Sequence, residues 1–324
     1  MPTFCRHNRF LERCPICSKT LPDHSPSAGQ SRSGRSSRAS GASPRHRRTR
    51  GEGVRVQHEG RAQDDGYRSQ LVPGLRASAD ASRLAEEIAF SSARLRALTA
   101  DPPGLYGEIR ALAASDLERA TWACFLTAYL SPLQQGDPFA GIRLALADES
   151  AGLRELPLGP RSSHDPARGP ETLIAYRHWV GRGGGSQAAA FAGDPTWSPE
   201  RRFARVFERL ALPGLARMGR YELLVILGRL GLYELRADSL HLAGARGLSA
   251  EDPTSLAAKR VFAIGDPLLL ERRAATLAQA AEVTVDTLDL ALANWAASER
   301  ATLGFPGEIE DGRARERARE ALGV

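Results

Sequence analysis

The sequence predicts an all-α protein. Three observations carry that reading: beyond Ser78 apolar residues recur at helical spacing, strand-type alternation is nearly absent, and helix-start signals precede several of the apolar runs. The first helical segment carries Leu84, Ile88, Leu95 and Leu98, and the next carries Leu117, Trp122, Phe125, Leu126, Tyr129 and Leu130. Further segments are predicted over 199–210, 220–230, 235–243, 267–281 and 287–300. Ser198 before Pro199 and Asp266 before Pro267 each pair an N-cap with a first-turn proline, whose missing N–H would have no helical partner anyway. The body is expected to hold about eight to ten helices of ordinary length.

A chain of 324 residues is long enough for one large or two modest domains. Its 42% hydrophobic and 25% charged content is ordinary for a globular protein, and no stretch approaches the ~18 uninterrupted apolar residues of a membrane span. Cys5, Arg6, His7, Arg9 and Arg13 are followed by no apolar core of a secretory signal, so a cytoplasmic protein with no membrane contact is expected. Four cysteines in that setting suit reduced thiols or a metal rather than disulfides.

The net charge of +6 is unevenly placed. Residues 1–50 hold eleven Arg or Lys against Glu12 and Asp23, a local +9, which leaves −3 for the rest. A polyanion such as DNA would be held non-specifically by this arm, and any site on the body must be a local patch. Residues 22–66 are rich in Ser, Gly and Arg with almost no core-forming side chains, the composition of a disordered linker. The expected organisation is a zinc knuckle over 1–21, a linker over 22–77, a helical domain over 78–312 and a helical tail over 313–324.

The knuckle rests on Cys5 and His7 followed by Cys14, Pro15, Ile16 and Cys17. Two close ligand pairs giving three thiolates and one imidazole match the tetrahedral preference of structural zinc. With all four positions supplied by the protein, the site would be closed and not catalytic.

Four segments of the body, taken in order, resemble the helix-hairpin-helix DNA glycosylases. The stretch Thr127–Asp137, with Gln134 and Asp137, looks like an element that borders their base pocket. Leu230–Leu240 is similar to their helix junction, and Phe262-Ala263-Ile264-Gly265-Asp266 stands where their hairpin lies. Val285-Asp286-Thr287 resembles the triplet that carries their essential aspartate. The resemblance implies a helical glycosylase-like core, DNA contacts at Ile264 and Gly265 and a catalytic role for Asp286. Independently, a carboxylate at a helix start also reads as a cap, with Asp289 following it in the first turn.

A tight turn between helices can point backbone N–H groups at a DNA phosphate without reading sequence. This hairpin departs from the family pattern: Ala263 replaces a glycine, and Asp266 with Pro267 stands where the family has a cation and, in its lyase members, a lysine. A Schiff-base lyase is therefore not expected. A rival DNA-facing turn is Leu212–Arg220, with Arg217 and Arg220, while Lys259 and Arg260 precede the first hairpin. Tyr176, His178 and Trp179 lie before the run Gly181-Arg182-Gly183-Gly184-Gly185-Ser186, so Tyr176 and Trp179 are candidates to stack on a base beside a mobile loop.

A narrower resemblance covers more of the chain. Thr3–Phe10 through Cys14–Ser18, with Lys259–Phe262 and Ile264–Pro267, looks like bacterial members of the alpha-glutamyl/putrescinyl thymine pyrophosphorylase family. Its phage members are associated with replacing a pyrophosphate on 5-hydroxymethyluracil in DNA by an amine. Either chemistry needs the base out of the duplex stack. Cleavage of an N-glycosidic bond is the first expectation here, amine-for-pyrophosphate transfer the second, and a DNA-binding module without activity the third.

Overall fold

The structure, a computed structural model, describes residues 62–134, 136–148, 153–242, 252–307 and 311–324. Among these residues it is all-helical, with no strand. In chain order the helices are α1 Ser78–Ala100, α2 Leu105–Ala113, α3 Leu117–Leu130, α4 Ala140–Ala147, α5 Gly169–Arg182 and α6 Gln187–Ala192. They continue as α7 Pro199–Arg209, α8 Arg217–Arg229, α9 Pro253–Phe262, α10 Pro267–Ala280, α11 Val285–Ala296 and α12 Gly312–Leu322. No helix among the described residues is long and apolar enough to cross a membrane.

Local chemistry sets many of the starts. Ser198 accepts the Arg201 N–H at 3.2 Å ahead of Pro199, and Asp252 accepts the Ser255 N–H at 2.8 Å ahead of Pro253. Asp266 takes the N–H groups of Leu268 and Leu269 at 2.9 and 3.0 Å. Each bond satisfies a donor that has no intrahelical partner.

The core divides into two apolar clusters. The first gathers Phe125, Tyr129, Phe203, Phe207, Leu224 and their neighbours from α2 to α8. The second gathers Phe262, Leu270, Leu277 and Trp295 from α9 to α11, with Ala318 and Leu322 of α12. Two helices serve both. α1 gives Leu84 and Ile88 to the second cluster and Leu95 and Leu98 to the first, whereas α11 gives Leu290 to the first and Leu288 and Leu292 to the second. The start of α11 therefore lies at the seam.

Two expectations require correction. The expected linker reaches residue 77, yet Val72, Leu75 and Ala77 are buried and the Gly74 N–H donates to the Val261 carbonyl at 2.9 Å. A Cβ on Gly74 would lie 1.9 Å from the Arg260 carbonyl oxygen, so this close approach of two backbones needs glycine. Val72 and Leu75 lie beyond the Ser/Gly/Arg-rich stretch of 22–66 and are apolar residues with a place in the core.

The second correction concerns the helix expected over 235–243, which does not form in its described part, 235–242. After α8 the chain turns at Gly231, with φ +75°, and runs irregularly with Leu235, Leu240 and Leu242 buried. Side chains satisfy its backbone in place of helical bonds. Glu271 accepts the N–H groups of Leu240 and Leu242 at 2.7 and 2.6 Å, Arg217 donates to the Leu240 carbonyl at 2.8 Å, and Tyr221 donates to the Ser239 carbonyl at 3.0 Å. Paired backbone groups let a buried segment dispense with regular structure.

Candidate active site at the cluster seam

Asp286 lies in the first turn of α11, where the helix dipole favours a carboxylate. The N-cap itself is Thr284, so Asp286 is not the cap that its sequence position suggested. Arg229, in the last turn of α8, grips both oxygens of Asp286: Nε donates to one and Nη2 to the other, each at 2.8 Å. Nη2 also reaches Thr284 Oγ1 at 2.8 Å, and the Thr287 N–H donates to Asp286 at 3.2 Å. This two-point geometry fixes the carboxyl plane as well as its position.

The pair forms part of the wall of a cavity of about 490 Å³ whose other lining includes Arg236, Gln279, Thr284 and Phe203. Most of that wall is apolar, with a few convergent polar groups, the usual make-up of a small-molecule or base site. Arg236 is mostly exposed and is paired with Glu200.

Behind the wall the polar groups continue inward. Asp289, on α11, accepts from Arg217 Nη2 at 2.8 Å, and Asp252 accepts from Arg217 Nε at 3.0 Å. Burial opposes the Arg217 charge, but Asp289 and Asp252 outweigh it and hold the guanidinium above its ordinary value. Burial pushes the Asp289 carboxyl up, with Arg217 pulling the other way. Glu222 on α8 accepts from Arg161 Nε at 3.2 Å, and burial likewise raises its carboxyl despite that cation.

Arg217 and Arg220 are therefore not the DNA-facing arginines that the sequence suggested, being only 1% and 2% exposed. Arg220 donates to the Phe207 carbonyl at 3.2 Å and stacks 4.4 Å from the Phe207 ring; burial, then Arg217, lowers it to about 10. Both arginines organise the interior beneath the turn that was read as a surface loop.

Tyr176 and Trp179 are also buried, within an aromatic series that runs Trp122, Phe125, Tyr176, Trp179, Phe191 with adjacent centroids 3.9–5.7 Å apart. Tyr176 edges a different cavity of about 510 Å³, beside Trp122, Glu118 and Gln187, and neither ring lines the Asp286 cavity. Gln134 accepts from the Thr302 N–H at 2.9 Å and from its hydroxyl, while Asp137 is exposed and accepts the Phe139 N–H at 3.1 Å. Neither borders that cavity.

Around Ile264 and Gly265 a four-residue turn joins α9 and α10. Ala263 occupies the left-handed region at φ +54°, a conformation that favours glycine. Asp266 already occupies two N–H groups at the start of α10, and Leu268 and Leu269 beside it are 70% and 45% exposed. Lys259 is exposed, whereas Arg260 stacks 4.7 Å from Trp295 and lies 3.9 Å from Asp80. Cys5, His7, Cys14 and Cys17 lie outside the described residues.

Sequence reasoning missed Arg229, Arg161 and Glu222. Glu222 had a visible signal, a lone charge inside the apolar run Tyr221-Glu222-Leu223-Leu224-Val225-Ile226-Leu227. Arg229 had none beyond a cation at a helix C-terminus, which the helix dipole explains by itself.

Comparison with known proteins adds a family to this geometry. Residues 162–307 match the model of the alpha-glutamyl/putrescinyl thymine pyrophosphorylase clade 3 family, so the likeness to that family is shown over α5 to α11. No curated protein and no solved structure matches the chain. The matched segment contains Asp286, Arg229, Arg217, Glu222 and the α9–α10 turn.

Proposed function

With that family as the premise, we propose that the protein is a thymine pyrophosphorylase-type enzyme that acts on a modified base in DNA. In this reading an amine displaces pyrophosphate from the exocyclic methylene of a 5-hydroxymethyluracil derivative flipped into the Asp286 cavity. The order of the first two sequence expectations is thereby reversed, with glycosidic cleavage becoming the lesser.

The observation that carries the reading is the Arg229–Asp286 pair in the cavity wall, inside the matched segment. A carboxylate already neutralised by a two-point guanidinium contact projects little net negative field, which weakly supports a cation forming at a sugar carbon. It still offers fixed acceptor sites that can orient the N–H groups of an attacking amine. Approach at the exocyclic carbon requires the base to leave the stack, and the apolar remainder of the wall suits a flipped pyrimidine. A substrate of this kind places the work on cytoplasmic DNA.

The experiment is incubation of duplex DNA bearing 5-pyrophosphoryloxymethyluracil with the protein and an amine. Pyrophosphate release together with a base in which the amine has replaced pyrophosphate on the 5-methylene carbon supports the reading. Abasic sites in place of that adduct would establish glycosidic cleavage. We further propose that Cys5, His7, Cys14 and Cys17 hold a structural zinc, supported by their spacing and ligand chemistry, and that the basic arm adds non-specific DNA affinity.

A further inference from the structure

Asp286 belongs to two cavities. Besides the wall of the 490 Å³ cavity it lines a second, of about 20 Å³, together with Asp289, Glu222, Arg161 and Tyr221 among apolar side chains. Glu222 is 8% exposed, and its Oε1 is buried with no hydrogen-bond partner among the described residues, whereas Oε2 faces Arg161. An acceptor so placed calls for a donor, and a volume of 20 Å³ admits one water. Each carboxylate of this cavity has a direct cation, Arg161 on Glu222, Arg229 on Asp286 and Arg217 on Asp289, which leaves Glu222 Oε1 as the acceptor still to be supplied.

We propose that a water in this inner cavity links Asp286 to Glu222 and that Glu222 receives the proton released by the attacking nucleophile. The inference rests on the displacement reading given above. A neutral amine donates its lone pair to the exocyclic methylene carbon. As the C–N bond forms, the C–O bond to pyrophosphate breaks and its electron pair leaves on the pyrophosphate oxygen. The new ammonium gives one proton to Asp286; the water passes a proton to ionised Glu222 and takes that of Asp286. Glu222 thus acts through Asp286 and never touches the substrate.

The groups that face Glu222 fit the role. Arg161 from the segment before α5 favours its charge, whereas Asp289 on α11 disfavours it and Tyr106 on α2 is coupled to it. Tyr221 and Asp286 complete the polar lining, and Arg217 stands behind Asp289. Burial dominates this balance and raises the Glu222 carboxyl, the direction that suits a proton acceptor working near neutral pH.

Two measurements on the full chain test the proposal. Infrared titration without substrate should show a protonated carboxyl component that persists above the ordinary value of 4.5, is lost in Glu222→Gln and remains in Asp286→Asn and in Asp289→Asn, the last variant removing the component of Asp289, which burial also raises. In the pyrophosphate-release assay Glu222→Gln should lower turnover roughly a hundredfold and remove the acid limb of the pH profile, with Glu222→Asp restoring part of both. An unchanged band or an unchanged acid limb in a Glu222→Gln protein that melts like the wild type overturns it. Should Glu222→Gln not fold, the same limb in Glu222→Asp, shifted or unshifted, decides. A wild-type protein that releases no pyrophosphate overturns the displacement reading, and the infrared titration still decides whether Glu222 holds the proton.

Discussion

Arg229 closes α8 and Asp286 opens α11, 57 residues apart in sequence, and the two meet through a pair of 2.8 Å hydrogen bonds. The contact lies near the seam of the two apolar clusters, in the wall of the 490 Å³ cavity, next to Thr284 and Gln279. Arg229 is 22% exposed on its side chain and Asp286 8%, so the pair is reachable from the cavity but screened from bulk water.

Asp286→Asn keeps the shape of the side chain and removes its charge. Turnover in the pyrophosphate-release assay should fall by roughly two to three powers of ten while DNA affinity stays near normal. Near-wild-type turnover would take Asp286 out of the mechanism.

Arg217→Met should destabilise the fold strongly. It leaves Asp289 and Asp252 facing each other in the interior with their shared cation removed. Breaking one partner of a buried pair costs about 3–5 kcal/mol, which urea denaturation can read. A loss under about 1 kcal/mol, the range of an exposed pair, would mean that the triad is open to water.

Stability should decline as pH falls below about 6.5 partly because of His241. Its ring packs between Phe203 and Phe207, and burial lowers its pKa below the ordinary 6.5. The unfolded chain binds the proton first, so the contribution is complete above 6.5 and is lost as pH falls toward the depressed folded value. His164, also lowered by burial, acts in the same direction, whereas the raised Glu222 and Asp289 carboxyls act oppositely at lower pH. His241→Asn, chosen because Asn tolerates its φ of +52°, should flatten the slope of melting temperature between pH 7 and 5 (about two units). A variant with the wild-type slope would exclude His241.

The N-terminal ligands predict one zinc per chain. Metal analysis of the purified protein should find it, and Cys14→Ser with Cys17→Ser should release it, because two of four tetrahedral ligands are then gone. Zinc content unchanged in the double variant would place the metal elsewhere.

The sequence by itself determined the helical class, because the 3.6-residue recurrence of Leu84, Ile88, Leu95 and Leu98 and the caps at Ser198 and Asp266 are local signals. It also singled out Asp286 through a short motif, and the pyrophosphorylase family through an N-terminal motif outside the match over 162–307 and through Lys259–Phe262 and Ile264–Pro267 inside it. Burial and pairing were decided only by the tertiary structure. Arg217 and Arg220 read as surface cations because an arginine's local sequence does not tell whether carboxylates such as Asp252 and Asp289 will arrive from distant helices. Leu235–Leu242 read as a helix because its apolar spacing is helical, yet side chains of Glu271, Arg217 and Tyr221 satisfy its backbone instead. Arg229 and Glu222 gain their meaning from residues dozens of positions away, Asp286 and Arg161. Periodicity reports which face of a helix is apolar; which charges meet across two packed faces depends on how those faces are brought together.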